Sequence, residues 1–194
     1  MALKVLRDAG IDLYGKNSRE FANGIVFDGS WLWENYLWDV LRRSGIEGLV
    51  HSDNGNTNDP NRIYPLTDGP VTWYPDFRVA GGNGTCKAVL DAKYKHLNER
   101  LVSGKYLSDD VHEVLSYMYA LGTKKGFLLY PYDKDEDKLL DHFNLRGFGG
   151  DFYFVGMKIP QSQSSAYSSF ENYCEAMKDA EDSFSNTIKR YLAE

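Results

Sequence analysis

Tyr74-Pro75-Asp76, followed beyond a glycine-rich stretch by Leu90-Asp91-Ala92-Lys93-Tyr94-Lys95, is the part of the chain whose reading decides the fold. Ala88, Leu90, Ala92 and Tyr94 fall on one face at a period of two, which predicts a strand over Cys86 to Lys95. Asp91 and Lys93 then share the opposite face, with Val89 and Lys95 beside them. Thr72 to Ala80 reads as the preceding strand, Pro75 pointing to a sheet edge or a strand end. Gly81-Gly82-Asn83-Gly84 supplies the hairpin turn between the two. A carboxylate and an ammonium one strand-step apart, with a second carboxylate on the strand before, is what metal-dependent phosphodiester cleavage requires. Two acidic groups hold a hard divalent cation, while the lysine orients or activates water or offsets charge developing on the phosphate.

Working outward, Ser30 is a candidate cap for a helix from about Trp31 to Arg43, closed by Gly45. Ala2 to Leu6 reads as the start of a short helix, and Asp8 to Asn23 as a polar lead-in of the kind that follows an upstream region. His51 to Asn61, with Asn-Gly, Asp-Pro and repeated asparagine, reads as a loop. Beyond the two catalytic-type strands, a helix is expected over Asp109 to Leu121, capped by Ser108 or Asp109. Strands are expected over Gly126 to Tyr132 and Asp151 to Ile159, separated by an acidic loop at Asp133 to Asp141. A long polar helix over Ser168 to Ala193 closes the chain. The order helix, strand, strand, helix, strand, strand, helix argues for an α/β fold, a mixed β-sheet flanked by helices. No internal repeat is present.

The whole chain sets bounds on this reading. Its 194 residues are enough for one domain with a real core. The division expected is a lead-in over 1–23, a nuclease core over 24–160 and a C-terminal helix over 165–194. The net charge of −6 speaks against a strong general nucleic-acid binder, which would carry a basic surface. It leaves room for a nuclease whose acidic residues hold metal and whose DNA affinity comes from a partner. Cys86 and Cys174 lie far apart and form no metal-binding spacing, so reduced thiols in a cytoplasmic protein are the expectation. No run of sequence approaches a membrane span and the N-terminus lacks a signal peptide's apolar core.

Glu34 is the third acidic candidate. At about 100° per residue, Leu37, Trp38 and Leu41 surround it, and Trp33 and Val40 extend the apolar arc. A glutamate inside such a face costs free energy unless a cation or a buried lysine compensates it. The alternative is an amphipathic helix that buries Trp33, Tyr36, Leu37 and Val40 and leaves Glu34 at the edge. Likewise Asp76 reads alternatively as a strand-end residue accepting turn hydrogen bonds, and Asp91 and Lys93 as part of a solvated face. Each is weak alone; the three acidic positions and the lysine in this order point to a site.

With those residues in view, the pattern resembles that of the PD-(D/E)xK nucleases, which implies a restriction-endonuclease-like sheet. More narrowly, Gly24 to Leu37, Tyr74-Pro75-Asp76-Phe77, Val89 to Lys95 and Asp110 to Met118 resemble the nuclease domain of McrC-type subunits of McrBC restriction systems. That resemblance covers roughly residues 20–130. It implies that Asp76 and Asp91 bind Mg²⁺, for which Mn²⁺ substitutes, that Glu34 completes the metal site and that Lys93 is the catalytic lysine. It also implies the Ala92 carbonyl as a further ligand. The fourth motif of related nucleases, Gln-x-x-x-Tyr, stands here as Glu113-Val114-Leu115-Ser116-Tyr117. Glu113 therefore reads either as an accessory ligand or as an exposed helix charge, with Tyr117 accompanying it.

The function implied is an endonuclease hydrolysing DNA with a GTP-hydrolysing McrB-type motor as partner, and with a homodimer where both strands are to be cut. A nuclease-fold interaction module without catalysis, binding DNA or the motor through the Trp31 to Trp38 helix, is the competing class. An RNA- or flap-directed nuclease is a second enzymatic reading. Among weaker candidates, Lys87, Lys95, Arg78 and Lys105 suit a phosphate-contacting rim or a solvated face. His51, His96 and His142 show no ligand spacing, and His112 reads as structural on another helix face.

Overall fold

A computed structural model of the chain describes residues 28–52, 59, 62–95, 107–132, 140–160 and 169–194. The expectations for the lead-in, His96, Lys105 and most of the acidic loop lie outside these residues. Among the described residues the α-helices and strands follow in chain order as α1 (Gly29–Arg43), β1 (Leu49–His51), β2 (Phe77–Ala80), β3 (Cys86–Ala92), α2 (Leu107–Leu121), β4 (Lys125–Tyr132), β5 (Leu140–Asn144), β6 (Asp151–Lys158) and α3 (Phe170–Ala193).

Helix α1 begins where a carboxylate satisfies its free amides. Asp28 Oδ1 accepts from the N–H of Ser30 at 2.9 Å and of Trp31 at 3.2 Å. The cap is thus Asp28 rather than Ser30, which is already inside the helix, because the longer aspartate reaches two orphan donors from its extended backbone. Trp33, Leu37, Val40 and Leu41 recur at helical spacing and are buried. Ser169 caps α3 by accepting from the Asn172 N–H at 3.2 Å.

The six strands form one sheet in the order β1-β2-β3-β4-β6-β5. The hairpin between β2 and β3 turns at Asn83 and Gly84, whose φ values of 58° and 75° lie in the left-handed region that asparagine and glycine tolerate. Strands β3, β4 and β6 run parallel, and the outer pairs are antiparallel, with Leu90 opposite Phe77 on β2 and opposite Phe127 on β4. The mixed sheet flanked by helices is the one the sequence order implied. Two strands were not foreseen, β1 beside the polar loop and β5 where the acidic segment ends. Strand β2 is shorter than Thr72 to Ala80, because Trp73 instead pairs with Ile63 in an isolated bridge. Strand β3 stops at Ala92, although the Lys93 N–H still reaches the Leu129 carbonyl at 2.8 Å.

Alternation along the strands divides the core in two. Phe77, Val79, Ala88, Leu90, Phe127 and Leu129 face α1 and α3, packing on Trp33, Leu37, Leu41, Phe184 and Ile188. Val89, Leu128, Tyr130, Phe152 and Phe154 face α2, packing on Val114, Tyr117 and Met118. Gly126 lets α2 approach β4, since a Cβ there would meet Met118 Sδ and Val114 Cγ1. The result is a three-layer α/β/α stack with β3 buried on both faces.

Candidate active site

The period-two reading of β3 holds: Asp91 follows Val89 onto the α2 side of the sheet. The face is not solvated. Asp91 is 2 % exposed, because α2 covers it. Its Oδ1 lies 2.6 Å from Lys93 Nζ, an ion pair that places the ammonium against the buried carboxylate. Lys93 Nζ also donates to Glu113 Oε2 at 2.7 Å, and Tyr117 OH donates to Glu113 Oε1 at 3.0 Å. The chain Asp91, Lys93, Glu113, Tyr117 thus joins the end of β3 to one face of α2, where the i, i+4 spacing sets Glu113 and Tyr117 side by side. The exposed-charge alternative for Glu113 captures its solvent access but misses these two bonds.

Asp76 precedes β2, and its Oδ2 accepts the Ala92 N–H at 2.7 Å. The Asp76 carbonyl accepts from the Ser52 N–H at 3.0 Å, tying the same residue to the end of β1. Burial pushes the Asp76 carboxyl well above the ordinary range, and the nearby charges of Asp91 and Glu34 push it further, while the Ala92 N–H pulls it back. Burial likewise pushes Asp91 up to about 7, opposed by Lys93 and reinforced by Glu113. For Lys93, burial works downward, but Asp91 and Glu113 outweigh it and hold the ammonium protonated above the usual lysine range. Glu113 goes the other way: burial raises it, yet its bonds from Lys93 and Tyr117 leave it lowered. Burial, then the Glu113 charge, raises the Tyr117 phenol.

Glu34 sits at the edge of the buried stripe of α1, as the amphipathic alternative had it, but it is not solvated either. Its Oε1 lies 2.7 Å from His51 Nε2, both side chains about one-fifth exposed at 18 % and 20 %. His51 was missed as a site neighbour because nothing local in sequence links positions 17 apart. Its place in the apolar Leu49-Val50-His51 run was the available signal. Lys95, read as a rim lysine, is committed to Asp110 at 2.6 Å. His112 lines a shallow groove with Trp73, Leu115, Ser116 and Tyr119 on the solvent side of α2. His142 lies across the sheet on β5, bonded to Asp151 at 2.8 Å.

Over residues 5–131 the chain matches the family described as the McrBC 5-methylcytosine restriction system component. The chain belongs to that family. The resemblance read from the motifs is borne out at that level, and the match contains Glu34, Asp76, Asp91, Lys93, Glu113 and Tyr117. Among solved structures, a chain from an assembly of Thermococcus gammatolerans McrB AAA+ hexamers with bound McrC is similar at 22 % identity and a TM-score of 0.43. The match covers 77 % of this chain and 33 % of that one, so the McrBC-family chain described here spans about a third of its length. No curated protein matches.

The donor set of the McrBC-family chain suits a hard divalent cation. Asp91 and Glu34 are close enough to act electrostatically on Asp76, Asp91 is almost wholly buried and Asp76 partly so, and carboxylate oxygens are the donors such a cation takes. Among the described residues no three such side chains already converge in a ligating array. The fit is therefore one of chemistry, repulsion and burial. No helix among the described residues is long and apolar enough to cross a membrane.

Proposed function

We propose that the chain is the metal-dependent nuclease domain of an McrC-type restriction subunit, with a restriction-endonuclease-like core of the PD-(D/E)xK kind, hydrolysing DNA phosphodiester bonds. The observation that carries this reading is the pair of mutually repelling carboxylates, the part-buried Asp76 and the buried Asp91, with the Lys93 ammonium 2.6 Å from Asp91. Such a pair costs stability unless a function retains it, and perturbed carboxylates beside a lysine are a mark of a working site.

Asp76, Asp91 and Glu34, with the Ala92 carbonyl, would hold Mg²⁺ or Mn²⁺, which when bound supplies charge neutralisation at phosphate and a more acidic water. The other roles belong to the chain itself. The Ala92 N–H fixes the Asp76 carboxylate at the mouth of β3. The acidic neighbours Asp91 and Glu113 favour the ammonium form of Lys93. Its part is to orient the attacking water and to offset charge on the scissile phosphate. Glu113 fastens that ammonium from α2, and Tyr117 fastens Glu113. Family membership and the McrC-like motifs support a GTP-hydrolysing McrB-type motor as partner, which suits a chain whose net charge of −6 gives little DNA affinity of its own. Pairing of two such domains would serve double-strand cleavage.

A non-catalytic module of the same fold is the competing reading, favoured by the absence of a converged ligand array among the described residues. Cleavage of plasmid and single-stranded DNA by the purified chain with Mg²⁺ or Mn²⁺, beside Asp91→Ala, separates the two. Metal-dependent cutting lost in the variant supports the nuclease. Cutting that survives Asp91→Ala removes this site assignment. Failure of the wild-type chain to bind Mn²⁺ in calorimetry favours the module.

A further inference from the structure

We propose that His51 is a positioning residue that sets the Glu34 carboxylate toward Asp76, so that the short strand β1 acts as the strut of the metal centre. The inference rests on the metal-centre reading above.

The geometry is specific. A carboxylate only accepts, so the 2.7 Å contact to Glu34 Oε1 requires the hydrogen of the imidazole to be on Nε2. The ring itself is fixed from two sides. It stacks on Trp38 at a centroid distance of 5.2 Å and 24°, and lies against Phe77 at 5.2 Å and 31°. Trp38 comes from the same helix as Glu34, and Phe77 is the residue after Asp76. The residue after β1, Ser52, donates its N–H to the Asp76 carbonyl at 3.0 Å. Two successive residues at the end of β1 thus hold two acidic residues, His51 by the Glu34 carboxylate and Ser52 by the main-chain carbonyl of Asp76. Glu34 contributes to the upward push on the Asp76 carboxyl, so the two acids share one electrostatic environment. Without His51, a glutamate on the edge of a helix would have several rotamers open to solvent. With it, one orientation is selected before any cation arrives. Partners of ligating carboxylates act in this way, and losing one weakens metal binding by roughly 10–100-fold.

The test is Mn²⁺ calorimetry on the full chain and on His51→Phe, His51→Gln, Glu34→Ala and the double variant Glu34→Ala with His51→Phe. Phenylalanine keeps the stacking on Trp38 and Phe77 but removes the donor; glutamine restores a donor at similar reach. The expected result is a Kd about 10–100-fold weaker for His51→Phe and near wild type for His51→Gln. In the Glu34→Ala background, His51→Phe is expected to change nothing further, because the histidine acts through the glutamate. A His51→Phe chain that binds Mn²⁺ like wild type, or that loses as much affinity without Glu34 as with it, overturns the inference and leaves the metal-centre reading standing. A wild-type chain that binds no Mn²⁺ overturns both. Melting curves run alongside guard against loss of fold, and if His51→Phe unfolds, His51→Leu, which likewise removes the donor, takes its place with the same two outcomes.

Discussion

Raising the pH of the metal-free chain from about 5 to about 8 is expected to destabilise it, and Asp91→Asn is expected to remove much of that dependence. Burial lifts the Asp91 carboxyl from 3.8 to about 7 in the folded chain. Between those values the folded state keeps a proton that the unfolded state has released, so stability falls as pH rises. At about 1.4 kcal/mol per pH unit, the span from about pH 5 to about pH 7 costs about 3 kcal/mol, and the loss levels off above that. Asp76 shifts the same way, with burial first and the Asp91 charge second among its causes, so a neutral residue at 91 also relieves Asp76. Urea unfolding in the presence of a chelator, at three pH values, measures the slope for both proteins. Added Mg²⁺ should then stabilise the wild type at the alkaline end, by about 2.7 kcal/mol at a hundredfold excess over Kd, and stabilise Asp91→Asn far less. A wild-type chain whose stability is flat or rises over this range, or an Asp91→Asn chain with the same slope, would refute the assignment of the cost to these carboxylates.

Further expectations test other contacts. Lys93→Ala should reduce cleavage by at least about 10²-fold, the scale of one lost charge-stabilising donor, while circular dichroism stays native. Glu113→Gln keeps an acceptor for Tyr117 but removes a negative charge beside Lys93, so anisotropy should report tighter DNA binding at low salt, converging on wild type at high salt. Gly126→Ala forces a methyl against Met118 and Val114 between α2 and β4, and should lower unfolding free energy by about 1–3 kcal/mol in denaturant titration. Leu37→Ala, at a wholly buried position of α1, should cost about 2–5 kcal/mol by the same measurement.

What could be read from sequence followed the range of the physics involved. The alternation in β3 is local, and it placed Asp91 and Lys93 on the face shared with Val89 without reference to the rest of the chain. The helical stripe of α1 was equally local, and so was the turn at Asn83 and Gly84. Strand β1 is three residues long and earns its place only by pairing with β2, which no period reveals. Strand β5 carries His142 and Asn144 on an outer position of the sheet, where polar residues hide a strand from any hydrophobic pattern. The Asp28 cap was overlooked for Ser30 because both residue types cap helices and only the backbone geometry decides between them. The burial of Asp91 depends on α2 folding over β3, and the bond from His51 to Glu34 depends on β1 lying beside α1. Both are tertiary facts.

That β3 is enclosed on both faces and paired on both edges has a consequence for how this chain can change over time. Side chains in a strand alternate strictly, so inserting one residue ahead of Leu90 in this strand would carry Leu90 into the place of Asp91 and turn the carboxylate into the packing against Leu37 and Phe127. The same slip would take the Ala92 N–H away from Asp76. Substitution of single side chains is therefore the only gradual route open to this strand.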